Sequence, residues 1–498
     1  MCKPISNRHW GTLWRYDMAE QPFRVVVVGA GMAGLFMAEK LAQAGIEFVV
    51  FEKAGEVGGT WRDNTYPGLY VDVLSRQYEF PFRPNYDWSR KFAPGTEIQD
   101  YILRVADERN LRKYIRFGEE IVSARFDKGL WYLQTAKGEA VTCNVFIAAT
   151  GFLYKPAYPD IPGRDSFNGP AFHSACWDHT IPHKGRRWGV IGGAASGIQI
   201  TEALAWEGVD VTQFIRRAQW IHIRENPRTN LWERLFLRLP GAYRYRQRKL
   251  WDMIVAGDKW RLEPGPAREA MQKEYLGYLE TIRDPELRRK LTPEFHIGCV
   301  RIPKSDRNYY EAVQRPNVYL EFGTIARIVP DGIEMKDGKK HELDVLVYAT
   351  GFDAHAYMRP MQVTGTNGLS IDELWAKKIF SYGGVALPGF PNLFMLYGPF
   401  SPVNNVPVPL GLDQEIDYLM KLIDRAKRTG VSVAPTQAAT QKFVEHVEQG
   451  MPNTTFVGCH NWYRDDAGTP ILWPFSQDDH KAFLASINWE DFEVTPNG

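Results

Sequence analysis

The period of the hydrophobic pattern changes at definite places along the chain. Residues 23–28 end in four consecutive valines, Val25 to Val28, the pattern of a parallel strand buried on both faces. A helical period follows, with Leu35, Ala38, Leu41 and Ala42 on one face and Gly45 as the stop. Residues 47–51 predict a second strand, closing on Glu52. The same order returns later: an apolar strand at 188–191, a helical run through Ile198, Ile200, Ala203 and Leu204, a stop at Gly208, and a strand at 209–215. Two further apolar strands, 144–149 and 344–348, each run into the same four residues, Ala149-Thr150-Gly151-Phe152 and Ala349-Thr350-Gly351-Phe352. Small residues at a strand end permit a close backbone approach. Residues 226–291 read as charged helix, and 411–428 as an amphipathic helix with Ile416, Leu419, Met420 and Ile423 on its core face. Strands alternating with helices predict an α/β fold: two Rossmann-like dinucleotide-binding domains with a helical insertion.

The loops between these elements carry the chemistry. The first is Gly29-Ala30-Gly31-Met32-Ala33-Gly34, a full G-x-G-x-x-G between strand and helix. Gly29 allows the tight turn, Gly31 lets a pyrophosphate approach the backbone, and Gly34 lets helix and strand pack closely. Glu52 stands where a carboxylate accepts from a ribose 2′-hydroxyl and repels a 2′-phosphate, so this site predicts FAD or NAD. The second turn is Gly192-Gly193-Ala194-Ala195-Ser196-Gly197, and its following strand ends in Arg216-Arg217. Two guanidinium groups suit a 2′-phosphate, so this site predicts NADP(H). Ala194 is a departure, because its methyl group occupies the second glycine position. Two sites of different ribose preference imply hydride transfer from a nicotinamide to a flavin.

Composition narrows the class. At 498 residues the chain is long enough for two or three domains, and 60 basic against 59 acidic residues gives no reason to expect nucleic acid. No apolar run reaches the ~18 residues that span a bilayer, and residues 1–21 lack an apolar signal core. A cytoplasmic protein is expected. Cysteines at 2, 143, 176, 299 and 459 are odd in number and widely spaced, so five unlinked thiols and no metal are expected. The absence of C-x-x-C argues against a flavin disulfide reductase. The 226–291 segment carries Arg238, Arg244, Arg246, Arg248 and Lys249, which would also suit a membrane-facing amphipathic helix. Pro240-Gly241 interrupts it and Glu274, Glu280 and Glu286 follow, so it is read as an insertion capping the second nucleotide domain, with no membrane partner.

Between the two turns lies a stretch in which Phe167, Gly169, His173, Trp177 and Asp178 fit F-x-G-x-x-x-H-x-x-x-W-D. Together with Gly58-Gly59-Thr60-Trp61, then Tyr66-Pro67-Gly68 and Asp72, it gives a chain that resembles the Baeyer–Villiger monooxygenases, a class B flavin-dependent family, over about residues 20–492. The resemblance implies FAD and NADPH as cofactors. It places Gly59, Thr60 and Trp61 along the flavin, Tyr78 as a further cofactor contact, and Asp72 near the reacting face. Gly298-Cys299-Val300-Arg301 is similar to the family's G-C-K-R. Arg301 therefore falls on the catalytic arginine, with Asp72 orienting it, while Val300 replaces a lysine. Asn461-Trp462-Tyr463 is similar to the family's S-W-Y, which implies a contact of Trp462 with NADP. His173 is implied to couple domain motion to catalysis, and the proline-rich loop from Phe400 to Pro407 to shape substrate choice.

The implied reaction proceeds through a C4a-peroxyflavin. One oxygen atom from O2 is inserted beside the carbonyl of a small-molecule ketone, giving an ester or lactone. Two alternatives stay open: a flavin-containing monooxygenase acting on sulfur or nitrogen, against which Trp177-Asp178 and Arg301 weigh, and an uncoupled NADPH oxidase or flavin reductase, which Ala194 and Val300 keep in view. The expected organisation is an FAD-binding domain over 20–152 and 349–498, an NADP-binding domain over 153–225 and 296–348, and a helical insertion over 226–295.

Overall fold

The computed structural model describes residues 23–402, 406–459, 461, 463–464, 468 and 470–496. Two five-stranded parallel sheets organise it. The first has the order Leu393–Met395, Val145–Ala148, Arg24–Val28, Glu47–Glu52, Ile115–Phe117. The valine run is buried on both sides. Val25 and Val27 pack in one core with Phe36, Ile98 and Leu419, while Val26 and Val28 pack in another with Trp131, Leu133 and Phe146. Each such side chain contributes about 1.5–3 kcal/mol by leaving water, which is why no polar alternation appears in this strand.

The second sheet has the order Val318–Phe322, Asp210–Ile215, Arg187–Ile191, Val345–Tyr348, Ala171–His173. The chain leaves the first sheet after Ala148 and returns to it at Leu393, having built the second sheet in between. The α/β fold with two Rossmann-like sheets is therefore observed. A four-stranded sheet, ordered Gln362–Thr364, Ile121–Asp127, Leu130–Thr135, Ala140–Cys143, covers the first sheet's other face.

The repeated Ala-Thr-Gly-Phe has a structural cause. A Cβ on Gly29 would stand 2.5 Å from Ala149 O, and one on Gly192 would stand 2.2 Å from Ala349 O. Each glycine turn thus packs against the end of its neighbouring strand, where only small residues fit. The helices obey the same rule, since a Cβ on Gly34 would stand 1.8 Å from Gly29 O and one on Gly197 2.2 Å from Gly192 O.

The 226–291 segment is helical, with helices Leu231–Leu237, Ala242–Leu262, Pro266–Leu279 and Pro285–Leu291. It does more than cap the second sheet. Trp260, Tyr275, Leu279 and Leu291 join that sheet's core. Tyr243 Oη donates to Glu79 at 2.9 Å and Gln477 N donates to Asp258 at 3.1 Å, which ties the same helices to the first-sheet half. The cysteine expectation is corrected: Cys299 and Cys459 form a disulfide with their Cα atoms 6.2 Å apart. They are 160 residues apart in the chain, so only the fold brings them together.

Candidate active site

Both glycine turns open on one cavity of about 1410 Å³, lined by Gly29, Gly31 and Glu52 on one side and by Gly192, Ala194, Ser196, Arg216 and Arg217 on the other. A single small-molecule pocket is usually ~300–1,000 Å³, so this volume suits more than one ligand.

At the first turn Gly31 is the N-cap of the Met32–Gln43 helix. It faces Gly59, where a Cβ would come within 3.1 Å of Gly31 Cα. The Glu52 carboxylate accepts from Ala30 N at 2.8 Å, Ala54 N at 2.9 Å and Arg62 Nη1 at 3.2 Å. Sequence reasoning assigned Glu52 only to a ribose; the structure shows that it also holds the turn in shape. Thr60 and Trp61 open the short Thr60–Asp63 helix. Trp61 Nε1 donates to Tyr78 Oη at 3.0 Å, and burial pushes the Tyr78 phenol up to about 12.

At the second turn Ala194 is the N-cap of the Ala195–Trp206 helix, with φ −95° and ψ −168°. Gly31 has nearly the same angles, φ −74° and ψ −167°. This is extended backbone that any residue adopts, so alanine fits without strain. Ser196 Oγ donates to Tyr66 Oη at 3.2 Å, and Tyr66 Oη donates to Gln199 at 3.0 Å. A Cβ on Gly68 would stand 2.5 Å from Gln199 O. The Tyr66-Pro67-Gly68 turn therefore clasps the helix of the second nucleotide turn. Arg216 and Arg217 are exposed at the strand end, with Arg217 over the Phe295 ring at 4.8 Å.

Between the turns Arg301 and Asp72 meet, although 229 residues separate them. Arg301 Nε donates to Asp72 Oδ2 at 3.1 Å, and Nη2 donates to the same oxygen. Burial by itself would raise the Asp72 carboxyl; the Arg301 guanidinium, with Lys304 and Arg224 beyond it, outweighs that and holds it below the usual range. The field of Asp72 in turn raises Arg301 against its own burial. Both line the cavity, and so does Val300.

Several neighbours of this pair escaped sequence reasoning. Lys304, three residues past Arg301, lines the cavity, and burial lowers its ammonium to about 7. Arg224 is stacked over Phe92 at 3.6 Å, ion-paired to Asp306, and donates to Val71 O at 2.8 Å. Tyr397 lines the cavity, and the buried Tyr463 senses the charges of Arg301 and Asp72. Nothing local marked any of them; Lys304 stands in the polar run Lys304-Ser305-Asp306-Arg307.

The fingerprint residues lie along the edge of the second sheet formed by Ala171–His173. His173 is fully buried, its Nε2 2.9 Å from Gly351 O while Nδ1 accepts from Ala175 N at 3.1 Å. Those partners fix a neutral ring protonated on Nε2, and burial lowers its pKa. Trp177 stacks on Trp188 with ring centroids 5.5 Å apart. Asp178 accepts from Thr180 N at 2.9 Å and Thr180 Oγ1 at 2.6 Å, closing a turn. Phe167 packs beside the second sheet, and a Cβ on Gly169 would stand 2.4 Å from Asp344 O. Trp462 lies outside the described residues, as do 403–405 of the proline-rich loop; Val406 and Pro407 of that loop line the cavity.

Comparisons with known proteins agree with this geometry. The family described as pyridine nucleotide-disulphide oxidoreductase matches residues 26–244. An uncharacterised monooxygenase of Mycobacterium bovis is 42% identical, covering 94% of this chain and 96% of that protein. A Baeyer-Villiger monooxygenase of Streptomyces coelicolor is 34% identical, covering 96% of this chain and 94% of that protein. Among solved structures, OTEMO in complex with FAD and NADP superposes with a TM-score of 0.87 at 27% identity, covering 96% of this chain and 100% of that one.

Proposed function

The chain belongs to the Baeyer–Villiger monooxygenase family, and from that premise we propose that it uses NADPH, FAD and O2 to insert one oxygen atom beside a ketone carbonyl, giving an ester or lactone. The observation that carries this reading is the Arg301–Asp72 pair lining the cavity onto which both glycine turns open. FAD, when bound, supplies the redox and oxygen-activating chemistry.

The chain's own residues do the rest. Gly29, Gly31 and Gly34 bring a helix N-terminus to the FAD pyrophosphate, with Glu52 at the ribose. Gly59, Thr60, Trp61 and Tyr78 line the flavin. Gly192, Ala194, Ser196 and Gly197 serve NADPH in the same way, with Arg216 and Arg217 on its 2′-phosphate. Arg301, held by Asp72, presents a fixed cation to the cavity and stabilises the negative charge that develops on oxygen during insertion. His173 is read as a tether that couples the domains and not as an acid or base, because its neutral ring is committed to Gly351 O and Ala175 N.

The domain assignment follows: 20–152 and 349–498 for FAD, 153–225 and 296–348 for NADP, and 226–295 as the helical insertion. The proposed setting is the cytoplasm. The test is Arg301→Ala. Ester formation from a ketone falls by at least about a hundredfold, the scale of a lost oxyanion donor, while NADPH is still consumed and appears as H2O2. Unchanged ester formation would remove Arg301 from the chemistry.

A further inference from the structure

The helical segment leaves an apolar face uncovered. Leu231 is 66% exposed, Trp232 80%, Leu235 46%, Phe236 48% and Leu239 57%. Their spacing puts them on one side of the Leu231–Leu237 helix and its first residues beyond. The opposite side is anchored, since Leu237 is only 2% exposed. Monomeric proteins rarely leave so many large apolar side chains together in water without a use.

The charge around this face is mainly basic, although Asp87 and Asp252 border it beside Arg238 and Lys249. Residues 228–249 hold seven Lys or Arg against Glu233 alone. Arg238 pairs with Asp87 at 2.7 Å and Arg246 approaches Glu233 at 3.8 Å. Arg244 and Arg248 are exposed and form no ion pair among the described residues. Exposed Leu, Trp and Phe bordered by basic residues match the plane of a bilayer with acidic headgroups: acyl chains take the apolar side chains and headgroups meet the cations. A second copy of the chain fits poorly, because a two-fold contact would set each basic surface against itself. A nucleic acid would answer the charge and leave the leucines in water. The helix that continues the segment carries Met253, 61% exposed and at the wall of the cofactor cavity.

We propose that the face formed by Leu231, Trp232, Leu235, Phe236 and Leu239, with the basic residues around it, docks the protein peripherally on an anionic lipid surface. The inference is independent of the oxygen-insertion chemistry. It reverses the sequence reading of this segment, which saw the same amphipathic pattern but could not show which side the body covers.

The test is co-sedimentation of the full-length, FAD-loaded protein with vesicles of phosphatidylcholine alone or mixed with phosphatidylglycerol. At least tenfold stronger binding to the mixed vesicles is expected, falling at least tenfold at high salt. It should fall equally in the Leu231→Ser/Trp232→Ser double variant. Both side chains are exposed, so the variant should keep its FAD, and its flavin absorbance confirms folding. Arg244→Glu/Arg248→Glu gives a second route to the same loss. Binding to neither vesicle, or binding that both double variants leave unchanged, overturns the proposal. So does a concentration-dependent dimer, or tighter binding to RNA than to the mixed vesicles, that the Leu231→Ser/Trp232→Ser variant abolishes.

Discussion

Replacing Asp72 by asparagine tests the site at its most constrained point. The side chain keeps its shape and loses its charge, so Arg301 loses the carboxylate that takes both of its hydrogen bonds. It is left among Lys304, Arg224 and Arg261, the cations whose mutual repulsion Asp72 offsets. Removing one partner of a fully buried pair costs about 3–5 kcal/mol, and of an exposed pair about 1 kcal/mol or less. Both side chains here are 32% exposed, which places the cost between these limits, at about 2 kcal/mol. If that loss falls on the transition state, the ester-forming kcat drops ~30-fold.

The assay is a double-mutant cycle with Asp72→Asn and Arg301→Met, measuring ester, H2O2 and NADPH consumption together. FAD content confirms that each variant is folded. The double variant should be no slower than Arg301→Met alone, giving a coupling close to the whole Asp72→Asn effect. Additive losses would mean that the two residues act separately, and the positioning role of Asp72 would be wrong.

Other predictions follow from the same structure. Arg216→Ala/Arg217→Ala should raise the KM for NADPH at least tenfold more than that for NADH, and equal changes would take the pair off the 2′-phosphate. Gly34→Ala should cost FAD retention, because its methyl group meets Gly29 O at 1.8 Å, while Gly197→Ala should keep FAD and weaken NADPH; overpacking of this kind costs ~1–3 kcal/mol. Flavin absorbance and NADPH titration separate the two outcomes. Burial pushes the carboxyl of Glu415, where Tyr397 N donates at 2.8 Å, up to about 8. A raised folded-state pKa contributes stability that is complete below the unfolded value and lost as pH rises through the folded one. The Tm should therefore fall between pH 4.5 and about 8, and Glu415→Gln should flatten that fall.

What could be read from the sequence was what is local. The valine run, the two glycine turns and the closing Glu52 and Arg216-Arg217 each lie within a few tens of residues. Their order specifies a parallel sheet because each element must bury its apolar face against the last. The repeated Ala-Thr-Gly-Phe was visible as a pattern, but its cause, a carbonyl pressed on a glycine across the neighbouring strand, needs the register. The Cys299–Cys459 link spans 160 residues, and a spacing rule sees nothing at that range. Lys304 and Arg224 were hidden for a related reason: each is one basic residue among 60, and only burial beside Asp72 sets them apart. Residues 231–239 showed an amphipathic period, and a period says which positions share a face but not whether that face meets protein or water.

The central claim is oxygen insertion, and it is tested most directly by mass spectrometry of the products formed from a ketone, NADPH and isotopically heavy O2. The prediction is an ester or lactone carrying one heavy oxygen atom, formed in near-equal amount to the NADPH consumed. Ester without the label, or NADPH consumed with H2O2 as the only oxygen-derived product across a panel of ketones, would contradict it.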